Sequence, residues 1–146
     1  MNARGFSLLE MLLVLAIAGL IAAVVIPSLP GALESARLRG SAEEVRATLT
    51  LARTLAVSEA RSRAVAFDLE RGEYGIDGDA RKGLVPEGIR LSAVRLGDAA
   101  AERGVVRVRF YPDGSADEAE VAIASAGGGS RRVLVEPLTG IAREGT

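Results

Sequence analysis

At 146 residues, 49% of them hydrophobic and with a mean hydropathy of +0.25, the chain has room for one modest domain yet carries more apolar side chains than a soluble domain of that size usually holds. Histidine and cysteine are both absent, which excludes disulfides, thiolate metal sites and imidazole chemistry. With 18 basic and 19 acidic residues the net charge is -1, so no global field draws the chain to nucleic acid or to an anionic membrane surface.

The apolar excess lies at the N-terminus. Residues 11–26 (MLLVLAIAGLIAAVVI) hold no charged or strongly polar side chain. A helix over residues 6–26 would be about 31 Å long, close to the hydrocarbon thickness of a bilayer, so a membrane-crossing helix is expected there. A secretory signal peptide fits poorly, because the basic stretch is only residues 1–5 and the flank PSLPGALE offers no small-residue cleavage site. A core helix of a soluble protein fits poorly too, for want of a polar face. A plain anchor explains the length but not Glu10, since a carboxylate in such a segment costs on the order of 2.5–3.5 kcal/mol. Glu10 therefore either lies at headgroup level or meets a cation on another subunit.

Pro27 breaks the apolar run, and Pro30-Gly31 adds a second breaker to the helical spine. Beyond them Ala32, Leu33, Ala36, Leu38, Ala42, Val45, Leu49, Ala52 and Ala56 recur at mostly three- and four-residue spacing, with Leu51 and Leu55 widening the stripe. That pattern predicts an amphipathic helix within residues 27–62 that packs on a sheet, with Gly40 as a soft spot.

From Arg63 the period becomes two. Val65, Phe67 and Leu69 alternate with Ala66 and Asp68, the turn Glu70-Arg71-Gly72-Glu73 follows, and Tyr74 to Asp77 returns as a hairpin. Ile89, Leu91 and Ala93 predict a strand, as do Val106, Val108 and Phe110 ahead of the tight turn Pro112-Asp113-Gly114-Ser115. Val121 with Ile123, then Val133 with Val135, supply the last two, separated by a mobile Gly127-Gly128-Gly129-Ser130 loop and followed by Pro137-Leu138-Thr139-Gly140. Residues 63–146 thus read as five to seven short antiparallel strands, and the chain as an α+β fold.

Little here supports catalysis. Without histidine or cysteine a nucleophile would depend on a Ser-Lys pair built on Lys82, the sole lysine, and no local motif supplies one. Asp77 with Asp79, and Asp113 with Asp117 and Glu118, read as turn acids ahead of calcium ligands. No enzymatic activity, metal or cofactor is expected.

The run Arg4-Gly5-Phe6-Ser7-Leu8-Leu9-Glu10-Met11-Leu12 resembles the prepilin processing site of type IV pilins and of the pseudopilins of type II secretion. The resemblance implies a leader over residues 1–5, cut between Gly5 and Phe6 by a prepilin peptidase that also methylates Phe6. It implies a transmembrane, filament-core helix over residues 6–26, retained after cleavage, and Glu10 as an assembly residue facing the new amine of a neighbour's Phe6. Farther on, Arg109-Phe110-Tyr111-Pro112-Asp113-Gly114-Ser115, Arg131-Arg132-Val133-Leu134-Val135 and Leu138-Thr139-Gly140 look like the C-terminal pattern of the H-type minor pseudopilin (GspH/FimT) family. A pilin-like architecture is implied, its long helical spine packed on a β-rich head. The chain would sit singly across the inner membrane with the head in the periplasm and would join other major and minor pseudopilins in a pseudopilus that supports secretion. The alternative is a minor type IV pilin, which could bind DNA for uptake through Arg131, Arg132 and Arg143.

Overall fold

A computed structural model describes residues 7–25 and 29–145, and the side chains of residues 7–21 and 31–145. The chain divides into two compact units, Met1–Leu33 and Glu34–Thr146. The first unit holds helix α1 (Leu8–Val25) and the opening residues of helix α2 (Leu29–Ser58). Because α2 starts at Leu29, Pro30 stands in its first turn, where a missing N–H removes no intrahelical bond, and Gly31 is carried inside the helix. Pro30 and Gly31 thus lie within the opening of α2 without interrupting it, whereas Pro27 lies outside the described residues.

The second unit is the head. Its strands are β1 (Arg63–Asp68), β2 (Glu73–Ile76), β3 (Lys82–Leu84), β4 (Ile89–Leu96), β5 (Ala99–Ala101), β6 (Val105–Phe110), β7 (Ala119–Ser125), β8 (Ser130–Val135) and β9 (Ala142–Gly145). They form a four-stranded sheet ordered β3-β2-β1-β6 and a five-stranded sheet ordered β5-β4-β7-β8-β9, antiparallel throughout. Among the described residues the strands number nine, against the five to seven expected. The extra ones, β3, β5 and β9, run three or four residues along sheet edges, too short and too exposed for an alternating apolar signature.

One buried cluster joins α2 to both sheets. From α2 come Leu38, Ala42, Val45, Leu49, Ala52 and Ala56, spaced to fall on one face. The strands meet it with Val65, Phe67, Val94, Val108, Phe110, Val121, Ile123 and Val133, all with no solvent exposure. Each such side chain contributes about 1.5–3 kcal/mol by leaving water. Leu51 does not belong to this face: half its surface is exposed, as is that of Leu33. It lies about 200° round the helix from Leu49, so reading it into the stripe was a spacing error.

Turn chemistry fixes the entry to the sheet. The carboxylate of Asp68 accepts the N–H groups of Glu70 and Arg71, and Gly72 adopts a positive φ of 68°, closing the β1–β2 hairpin. At the end of α2, Arg61 N–H reaches Ala56 O at 3.2 Å and Ala60 N–H reaches Val57 O at 3.3 Å, with Ala60 left-handed at φ 49°. This is a Schellman termination with alanine where glycine is favoured. Ala60→Gly should therefore raise the stability of the head by up to about 1 kcal/mol, read as a higher midpoint in denaturant at unchanged m-value.

Candidate functional site

The N-terminal determinants are built from the start of α1. Ser7 stands just outside the helix and its carbonyl accepts the N–H groups of Glu10 at 3.0 Å and Met11 at 3.2 Å. Glu10 is thereby held in the first turn, where an acidic side chain complements the helix dipole. Its side chain is exposed, as is every other from Ser7 to Ile21, and apart from Ser7 and Glu10 that surface is apolar or glycine on all sides. Within its own unit nothing covers Leu8, Leu12, Leu15 or Leu20. Among the described residues no helix is long and apolar enough to cross a membrane, and the side chains of residues 22–30 fall outside them. Gly5 and Phe6, the expected cleavage and methylation positions, also lie outside the described residues.

In the head, the two C-terminal turns singled out in the sequence come together on one arginine. Arg53 Nε of α2 donates to Thr139 O at 2.6 Å and to Gly114 O at 3.3 Å. Gly114 and Gly140 both adopt positive φ, 87° and 60°. A Cβ on Gly140 would stand 2.4 Å from Gly114 O and 3.1 Å from Arg53 Cδ, so only glycine lets the turns approach. Ala116 N–H also reaches Pro137 O at 2.9 Å, and Asp113 accepts from the Ser115 N–H and hydroxyl. Arg53 was missed in the sequence. Its signal was a charged residue between Ala52 and Ala56 on an otherwise apolar flank.

The glycine loop between β7 and β8 is tied down as well. Gly127 N–H donates to the Glu34 carboxylate at 2.5 Å, and a Cβ on Gly127 would fall 2.6 Å from a Glu34 oxygen. Gly129 N–H donates to the Ser125 hydroxyl at 3.0 Å. The mobile loop expected there is instead a seat for the first residue of the head. The Ser125 hydroxyl and then the Gly127 amide hold the Glu34 carboxyl below its ordinary value of 4.5.

The remaining candidates are accounted for locally. Asp77 pairs with Arg107 at 2.8 Å, Asp79 accepts from Arg81 N–H, and Asp117 accepts from the Tyr111 hydroxyl at 2.9 Å, which pushes Tyr111 up. Among the described residues no three such groups gather to hold a metal ion. Lys82 faces Glu73 at 3.5 Å. Arg131 pairs with Glu144 at 2.7 Å, Arg132 with Glu120 at 3.6 Å and Arg143 with Glu136 at 3.0 Å, so each arginine proposed for phosphate already has a carboxylate.

An apolar helix exposed on all sides, followed by a helix that packs into a two-sheet antiparallel head, defines a pilin-like subunit. The description "Prokaryotic N-terminal methylation motif" matches residues 1–26, and "Type II transport protein GspH" matches residues 41–139. The chain belongs to the GspH family. It is 28% identical over 114 residues to the type II secretion system protein H of Xanthomonas campestris pv. campestris, an alignment covering 77% of this chain and 66% of that one. The chain thus matches just under two thirds of the length of that curated relative. Its fold is similar to the minor pseudopilin EpsH from the type 2 secretion system of Vibrio cholerae, with TM-score 0.59 and 16% identity over 75% of this chain and 97% of that one. It is similar also to the type IV minor pilin FimU of Pseudomonas aeruginosa, with TM-score 0.57 and 22% identity over 77% and 91%.

Two outcomes test the head geometry. Gly140→Ala should cost about 1–3 kcal/mol, because the new methyl collides with backbone at a positive φ, and Arg53→Met should cost a similar amount by stranding two carbonyls; both are read from denaturant midpoints. The Glu34 seat is pH-dependent in a defined direction. Since its folded-state value is depressed, its contribution is complete well above 4.5 and is lost as acid protonates it. The thermal midpoints of wild type and Glu34→Gln should therefore differ well above pH 4.5 and converge as the pH falls below it.

Proposed function

We propose that this chain is a minor pseudopilin of a type II secretion system, a structural subunit of the periplasmic pseudopilus. The observation that carries this is the occurrence, in one chain, of a helix α1 whose described side chains are all exposed and, Glu10 in its first turn apart, free of polar groups, with a head of the GspH family. Such a helix cannot remain in water, and the surfaces that can take it are lipid before assembly and neighbouring apolar helices afterwards. Support for processing comes from the match of the methylation motif to residues 1–26.

In this reading a prepilin peptidase cuts between Gly5 and Phe6 and methylates Phe6, leaving residues 6–26 as the membrane and filament-core helix. Residues 27–62 carry that helix into the head of residues 63–146, which faces the periplasm. The mature amine would stand four residues before Glu10, about one helical turn away, so a neighbour displaced along the filament can place its amine beside that carboxylate. Pairing then offsets two charges that are costly apart in low dielectric. The subunit acts by packing, with the peptidase and other pseudopilins as its partners. The three paired arginines of the head favour this over DNA uptake by a type IV pilus.

Coexpression with the peptidase should yield a mature N-terminus at Phe6 carrying one added methyl by mass spectrometry, and a bulky residue at Gly5 should leave the precursor uncut; cleavage after Ile26 would refute the assignment. Glu10→Gln and Glu10→Ala should insert and be cut normally yet co-purify less with sheared pseudopili at equal membrane abundance. Undiminished recovery of both would show that Glu10 only occupies the headgroup level.

A further inference from the structure

The head does not hold α2 evenly along its length. From Ala42 onward the helix is secured by Val45, Leu49, Ala52 and Ala56, none of which has any exposure. Over residues 34–40, where α2 enters the head, only Glu34 and Leu38 are turned from solvent, the other five being exposed. Both rest on the loop between β7 and β8. The Glu34 carboxylate accepts the Gly127 N–H at 2.5 Å and interacts with the Ser125 hydroxyl. Leu38 Cδ2 stands 3.2 Å from the place a Cβ on Gly129 would take. Ser125 is buried, and its oxygen also accepts the Gly129 N–H at 3.0 Å, so the group that meets the helix is the one that closes the loop.

Two features weaken the helix where this entry segment meets the firm seam. Gly40 sits inside α2, where glycine is less favourable than any residue but proline. An added Cβ there would meet nothing within 4 Å, so no close approach calls for glycine. Ser41 follows, 3% exposed, and its hydroxyl has no hydrogen-bond partner among the described residues. A bare hydroxyl among apolar groups favours any opening that returns it to water. Few buried contacts on one side and an unsatisfied, flexible joint on the other mark the least stable part of a fold.

We infer that residues 34–41 and the Ser125–Gly129 loop form a latch that opens as one unit, while residues 42–58 of α2 and both sheets stay folded. Once Glu34 leaves, the Gly127 N–H loses its acceptor, and the tip of the loop keeps only its own turn bonds, Gly128 N–H to Ser125 O and Ser125 N–H to Gly129 O. Opening moves the point at which the helix leaves the head from Glu34 to Ala42, about 12 Å farther along. The latch is a property of the head and stands without the assembly reading. Where that reading holds, a packed subunit can relieve strain at the entry of α2 by opening the latch, with neither sheet disturbed.

The test is amide hydrogen exchange by mass spectrometry on the full-length chain in detergent at one pH, with peptides covering residues 34–41, 126–129 and 45–56. The first two should show matching protection, well below that of the third. Glu34→Ala should speed both by about tenfold or more and leave 45–56 unchanged, since it removes the acceptor that joins them. Gly40→Ala adds a methyl to open space and touches no residue of the loop, yet should slow both by about fivefold. Ser41→Ala should slow them in the same way, because the closed state no longer leaves a hydroxyl bare. Equal protection of 34–41 and 45–56 would overturn the proposal, for then no part of the seam opens separately. So would a Gly40→Ala effect confined to 34–41, which would show that helix and loop open independently. Faster exchange across 45–56 in Glu34→Ala would mean a loss of stability throughout the head and would refute the latch as well.

Discussion

The head depends on how closely α2 can approach the strands. Its buried seam mixes large and small residues, running Leu38, Ala42, Val45, Leu49, Ala52 and Ala56. Alanine adds almost no side-chain entropy cost and lets the helix axis lie near the sheets, so Phe67 and Phe110 can fill the space that remains. Tyr74 shows the same tightness. Its ring stacks on Phe67 with centroids 6.2 Å apart, its hydroxyl donates to Glu44 on α2 at 3.0 Å, and Gly83 leaves no room for a Cβ beside it. A larger residue anywhere along this seam would push the helix off both sheets at once.

The polar contacts follow from that approach. Arg53 reaches two backbone carbonyls on separate turns only because its own backbone is held close by Ala52 and Ala56 on either side. Its guanidinium replaces the water those carbonyls would otherwise need, and Gly114 and Gly140 remove the side chains that would keep them apart. At the other end of the seam Glu34 satisfies Gly127 in the same way, by reaching from the helix to a loop.

How much of this is legible in sequence varies with the length scale of the cause. The seam of α2 and the major strands follow from periodicity, since each side chain reports its own burial, and the hairpin at Asp68 and Gly72 follows from local turn chemistry. The N-terminal motif was legible because its residues are contiguous. What could not be read came from distant pairings: β3 and β9 exist because a neighbouring strand offers hydrogen bonds, and nothing in KGL or AREG demands a strand. The glycine loop looked free because its partner, Glu34, is far away in sequence, and Leu51 looked buried because a leucine near the stripe was counted without its angle. Arg131, Arg132 and Arg143 looked available to a polyanion until cross-strand register put an acid beside each.

The bond from Arg53 to Thr139 closes a loop of 86 residues. The strand that follows, β9, supplies the edge of its sheet and pairs with β8 alone. A chain delivered N-terminus first would therefore have α2 and most strands exposed to solvent before the contacts that complete the head are available. Topology of this kind makes folding a terminal event rather than a progressive one. The head would mature only once residues 139–145 had emerged, since Thr139 supplies one of the two carbonyls that Arg53 reaches and Ala142–Gly145 the final edge of the sheet.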